Sequence, residues 1–161
     1  VPAADDPVWY FAYGSNMQRA TFVGRRGMHP RSSRPGWLEG FELCFDLPVG
    51  PGERAVANLA VAPEAVVHGV LYSISQAEAS LLDRTEGVDR GFYERLIVRV
   101  NREEGSDEAF TYVSPHRVEH RKPSARYLGL LLEGAREHGL PASYIEKLAA
   151  LPLAIDEREP R

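Results

Sequence analysis

The sequence predicts an α+β fold in which a mixed, largely antiparallel, barrel-like sheet is flanked by helices. Three observations lead there. Strand-like runs dominate the N-terminal and central parts of the chain, two of the three longer helical segments come last, and the regular strand–helix alternation of a doubly wound sheet is missing. A chain of 161 residues with 43% hydrophobic content can bury one real core and is short for two. One domain over residues 1–161, with its core at about 8–154, is therefore expected, without repeat or linker.

The elements follow in order. Val1 to Pro7 reads as a disordered lead. Strands are expected at Val8–Ala12, Trp37–Leu47, Ala55–Ala62, Val67–Ile74, Tyr93–Asn101 and Glu108–Val113, each rich in β-branched or aromatic residues and bounded by Gly, Pro or Asp. In the fifth, Leu96, Val98 and Val100 alternate with Arg95 and Arg99, the pattern of a half-buried strand. Asn16 is placed to cap a short helix over Met17–Phe22. Ser75-Gln76-Ala77-Glu78 is a capping box that opens a helix running to about Thr85, where Gly87 stops it. Ser124 caps a second helix, Ala125–Glu137, stopped by Gly139, and a third follows Pro141 through Leu151. Trp9, Trp37 and Phe41 are assigned to the core, and Ile155–Arg161 to a charged tail.

Charge and composition exclude several classes of function. The net charge of −4 is spread without a polybasic block, which argues against nucleic acid or a membrane surface as partner. Cys44 is the single cysteine, so neither an intramolecular disulfide nor a cysteine-based zinc site can form. No apolar run approaches the roughly 20 residues of a membrane span, and no signal-peptide pattern opens the chain. A cytoplasmic location is the expectation. His116 and His120 follow Pro115 in polar surroundings and read as surface histidines, so no metal site is assigned.

Two segments carry chemistry. After the first strand comes Tyr13-Gly14-Ser15-Asn16, a turn whose successive backbone N–H groups suit a carboxylate or an oxyanion. Ser15 is not read as a nucleophile, because there is no Gly-x-Ser-x-Gly elbow and no histidine placed locally to activate it. The second segment, Thr85-Glu86-Gly87-Val88-Asp89-Arg90-Gly91-Phe92-Tyr93, sets one carboxylate between a helix and a strand. Burial of Glu86 against Phe92 and Tyr93 would raise its pKa and suit it to shuttling protons near neutral pH. An ordinary exposed loop carboxylate is the competing reading. Arg25, Arg26, Arg31 and Arg34 form either a solvated face or an entrance that attracts an anion.

Tyr10-Phe11-Ala12-Tyr13-Gly14-Ser15-Asn16-Met17 resembles the signature strand and loop of the γ-glutamylcyclotransferase family. Glu86-Gly87-Val88 with Gly91-Phe92-Tyr93 is similar to that family's catalytic-glutamate segment. Pro123-Ser124-Ala125-Arg126-Tyr127, with Gly139-Leu140-Pro141 and Tyr144, resembles its C-terminal helical part. The three matches lie in family order and span most of the chain.

The resemblance implies a γ-glutamylcyclotransferase-like fold and release of 5-oxoproline from a γ-glutamyl amino acid, peptide or amine. Glu86 would be the acid/base, and Tyr13, Gly14, Ser15 and Asn16 would hold the γ-glutamyl group through backbone N–H groups. Whether those groups meet the substrate α-carboxylate or the oxyanion stays open. Tyr93, Tyr112 and Tyr127 match aromatic positions of the family pocket, with a core role as the alternative for Tyr112 and Tyr127. No metal, nucleotide or redox cofactor has a task in such a reaction. The glutathione-specific branch carries a bulky apolar residue where this chain has Asn16, which disfavours glutathione. Two other readings are removal of a γ-glutamyl protecting group from a biosynthetic intermediate, and a non-catalytic module that binds a small carboxylate or a protein. A homodimer is the expectation from the frequency of such assemblies alone.

Overall fold

The computed structural model describes residues 3–155, in which strands β1 (Pro7–Ala12), β2 (Ser32–Pro48), β3 (Ala55–Ser75), β4 (Glu94–Arg102) and β5 (Gly105–Val113) close a barrel in the order β1-β3-β2-β4-β5. Neighbours run antiparallel except β1 and β5, which meet in parallel where Tyr10 lies opposite Phe110. The mixed, largely antiparallel barrel with flanking helices expected from the sequence is the observed architecture.

Period-two alternation sorts the side chains into two cores. Phe11, Leu38, Leu59, Leu71 and Val100 meet inside the barrel. Tyr10, Ala12, Tyr72 and Phe110 point outward and pack under Leu82, Leu128, Leu131 and Leu148, which belong to helices α1 (Gln76–Thr85), α2 (Ala125–Glu137) and α3 (Ala142–Ala149). Strand β1 can lie tight on β3 because position 69 is glycine: a Cβ there would sit 2.3 Å from the Ala12 carbonyl oxygen. Ser75 and Glu78 form the expected capping box, and the Ser124 hydroxyl accepts from the Tyr127 N–H at 3.1 Å. None of the described helices is long and apolar enough to cross a membrane.

Several expectations change. Ala55–Ala62 and Val67–Ile74 are one strand, not two, because residues 62–65 bulge between the pairs Phe41–Val61 and Glu39–Val66. Pro63 has no N–H to donate, and a bulge asks none of it. Asn16 does not cap a helix over Met17–Phe22. It lies within a 3₁₀ turn, Ser15–Met17, followed by a π-helical turn, Ala20–Arg25, and its side chain is engaged elsewhere. Residues 3–6 of the lead are tied down: Asp6 and Ala4 carbonyls accept the Gln76 and Ala77 amides at 3.0 Å each, supplying acceptors to the otherwise orphaned first N–H groups of α1. Val1, Pro2 and Asp156–Arg161 lie outside the described residues. Trp9, Trp37 and Phe41 are half-buried: Trp9 and Phe41 pack against the barrel core, with Arg34 stacked 4.7 Å over the Trp9 ring, and Trp37 lies beside His68.

Candidate active site

One cavity of about 290 Å³ gathers Glu86, Tyr13, Gly14, Ser15, Asn16, Tyr93, Tyr112 and Tyr127, all eight site residues expected from the sequence. They arrive from separate pieces of the fold. The loop after β1 brings Tyr13 to Asn16, the end of α1 brings Glu86, β5 brings Tyr112, and the first turn of α2 brings Tyr127.

Glu86 caps the C-terminus of α1, and Gly87 follows at φ 74°, a left-handed turn that glycine takes without strain. That helix end is pinned from the side. Asp83 accepts the Tyr112 hydroxyl at 2.6 Å and the Arg95 guanidinium at 2.7 Å. The Glu86 side chain is 12% exposed, and its Oε1 accepts the Asn16 amide at 3.0 Å, with Arg26 Nε 4.0 Å away. Its surroundings differ from expectation in one respect. Phe92 is 48% exposed and turned outward, so Glu86 faces amide, guanidinium and phenol groups instead.

The loop is held at its C-terminal end. Tyr72 places its hydroxyl 2.9 Å from the Asn16 carbonyl and 3.0 Å from that of Met17, while Gly134 lets α2 lie directly on the loop backbone. The amides that open a 3₁₀ turn have no acceptor within it, and Gly14 and Ser15, where this turn opens, both line the cavity. Tyr127 lies against them. Its oxygen accepts the Ala57 N–H at 3.0 Å, and a Cβ on Gly14 would sit 3.1 Å from it.

Burial pushes the phenol of Tyr127 up to about 12 and holds those of Tyr10, Tyr13 and Tyr93 well above the ordinary tyrosine value. All four remain proton donors at neutral pH. Tyr13 donates to the Tyr112 carbonyl and Tyr93 to that of Ala57 at 3.4 Å. Tyr112 contributes its ring to the wall but turns its hydroxyl away to Asp83.

The arginine run divides. Arg25 and Arg26 line the cavity, whereas Arg31 donates to the Asp5 carbonyl and Arg34 stacks on Trp9. His116 and His120 are exposed, as expected. The sequence did not assign Tyr10 or Ala57 to the site, and left Arg26 between a solvated face and an entrance. Tyr10 could have been found, since it precedes the loop on the outward face of β1. Ala57 could not, because it acts through its backbone.

Fold and site together define a barrel enzyme with one buried-edge carboxylate in a small, tyrosine-walled cavity that it shares with the loop after the first strand. The AIG2-like family matches residues 66–148. Gamma-glutamylcyclotransferase of Mus musculus is 32% identical over 148 residues, and that of Bos taurus 30% identical, each alignment covering 88% of this chain and 77% of the relative. A solved gamma-glutamyl cyclotransferase superposes with a TM-score of 0.83 at 27% identity, covering 97% of this chain and 94% of that one. The chain belongs to the γ-glutamylcyclotransferase family, and it is an enzyme of that class.

Proposed function

We propose that the protein takes a γ-glutamyl amino acid, peptide or amine and releases 5-oxoproline, with Glu86 carrying the proton. The substrate's own α-amine attacks its γ-carbonyl carbon, a new C–N bond closes the five-membered ring, and the bond to the leaving nitrogen breaks. Glu86 as carboxylate receives the proton from the attacking ammonium and returns it to the leaving nitrogen. Nucleophile and electrophile share one molecule. Holding it folded back therefore exploits an effective molarity on the order of 10⁵ M or more.

The remaining groups have matching tasks. Amides of Gly14 and Ser15 meet either the α-carboxylate or the developing oxyanion, and the Tyr127 hydroxyl, whose oxygen already accepts the Ala57 N–H, adds a donor beside them. Arg25 and Arg26 favour an anionic substrate at the entrance. The observation that carries this reading is the position of Glu86, fixed by Asn16 in the same small cavity as the loop donors.

Incubation with a panel of γ-glutamyl compounds, following 5-oxoproline, tests it. Glu86→Gln should lower kcat by a factor on the order of 10² to 10⁴, the usual range for general acid–base catalysis. Equal turnover by Glu86→Gln would remove Glu86 from the mechanism.

A further inference from the structure

A second cavity, about 450 Å³, adjoins the first at Glu86. The two share Leu47, Val56, Glu86 and Tyr93 as a common wall. In the reaction proposed above, Glu86 must reach the leaving nitrogen as well as the attacking one, so the group that departs extends from Glu86 into space that Glu86 borders. Another cavity, behind Tyr127, is bordered by Arg25 and Leu130 but not by Glu86. Proton transfer therefore points to the 450 Å³ cavity and away from the other.

Its chemistry narrows the leaving group. Pro48, Val49 and Phe92 give it an apolar surface, and Arg90 sets its guanidinium 5.3 Å over the Phe92 ring. The segment presenting them is fixed: the Phe92 carbonyl accepts the Ser114 hydroxyl at 2.6 Å, the Phe92 amide donates to Gly87 at 3.0 Å, and His116 bonds the Gly91 carbonyl at 2.9 Å. Arg90 meets Asp89 only at 4.0 Å, with both side chains more than 60% exposed, an arrangement that leaves the guanidinium able to take a second carboxylate. A leaving amino acid carries a carboxylate next to its side chain. A simple amine does not.

We infer that the leaving group is an α-amino acid with a large apolar or aromatic side chain, laid on Phe92 between Pro48 and Val49, with its carboxylate on Arg90. The inference rests on the cyclotransferase reading of the adjoining site. It makes Arg90 and Phe92 residues that set specificity.

Three substrates separate the contributions: γ-glutamyl-phenylalanine, γ-glutamyl-glycine, and γ-glutamyl-2-phenylethylamine, which keeps the aromatic ring and lacks the carboxylate. The wild-type protein should prefer the first to each of the others about tenfold in kcat/KM, chiefly through KM. Arg90→Gln should bring the phenylalanine-to-phenylethylamine ratio to within about twofold, and Arg90→Lys should recover part of it. Phe92→Ala should likewise collapse the phenylalanine-to-glycine ratio. Equal kcat/KM for all three in the wild type, or preferences that survive both substitutions, overturns the inference and leaves the cyclotransferase reading standing. No 5-oxoproline from any of the three overturns the reading and the inference together.

Discussion

The side-chain amide of Asn16 bridges the Tyr10 hydroxyl and the Glu86 carboxylate, with Nδ2 3.0 Å from each. Its carbonyl oxygen accepts Arg26 Nε at 3.3 Å, so the amide is engaged at both ends. One residue thereby couples the donor loop to the carboxylate, although the two are 70 positions apart in sequence.

Asn16→Leu should lower kcat by about 10- to 100-fold, the equivalent of losing a hydrogen bond to a charged group of about 1.5–3 kcal/mol. Because the loss is one of aim in the reacting geometry, kcat should fall more than KM rises. A change confined to KM, measured by 5-oxoproline release, would contradict the positioning role.

Ser15→Ala should keep activity within about threefold, since the loop works through its backbone. Ser15→Pro removes the N–H and should cost about 10²-fold or more, the usual effect of losing one such donor. If the alanine variant loses as much as the proline variant, the hydroxyl itself takes part.

Two glycines of α2 should respond in opposite directions. A Cβ at Gly134 would lie 2.6 Å from Gln18 N and Met17 C, backbone atoms that cannot rotate away, whereas Gly129 has nothing within 4 Å. Alanine gains up to about 1 kcal/mol of helix propensity at either position. At Gly134 an overpacking penalty of about 1–3 kcal/mol outweighs that gain. Thermal melts should therefore show Gly129→Ala stabilised and Gly134→Ala destabilised, the latter with weakened turnover because the donor loop is displaced.

Acid should loosen the fold through two histidines. Burial holds His68 and His138 below the ordinary histidine value, and His138 Nε2 lies 3.3 Å from the Tyr72 hydroxyl. As the pH falls below about 6.5, the unfolded chain takes up these protons before the native one, so stability declines until the native values are passed. Urea midpoints at pH 7.5 and 5.5 should converge in the double variant His68→Gln/His138→Gln. An undiminished difference would assign the pH response to other groups.

Legibility in the sequence followed the physical range of each interaction. The capping box at Ser75, the Ser124 cap and the alternation along β4 are local, and each could be read from a few residues. Pro63 misled because whether a proline ends a strand or sits in a bulge depends on the partner strand resuming its pairing beyond it. Asn16 misled for a related reason: a cap is its local preference, but Glu86 and Tyr10 offer its amide tertiary partners. Phe92 was expected to bury Glu86, yet its ring packs against Gly87, where a Cβ would lie 2.8 Å from it, and stays exposed. The backbone donor and acceptor at Ala57 leave no side-chain trace, so nothing in the sequence could announce them.

The parallel meeting of β1 with β5 governs when the chain can work. The first strand is made first, yet its partners are residues 70–75 of β3 and Phe110 of β5, and Tyr127 of the cavity wall follows later still. On a ribosome the loop after β1 must therefore wait, its donors without their neighbours, until the chain as far as Tyr127 has emerged. Assembly from such distant pairings is slow compared with local helix formation. The nascent chain has no complete cavity before closure, so catalysis begins only once the last pieces have joined the first.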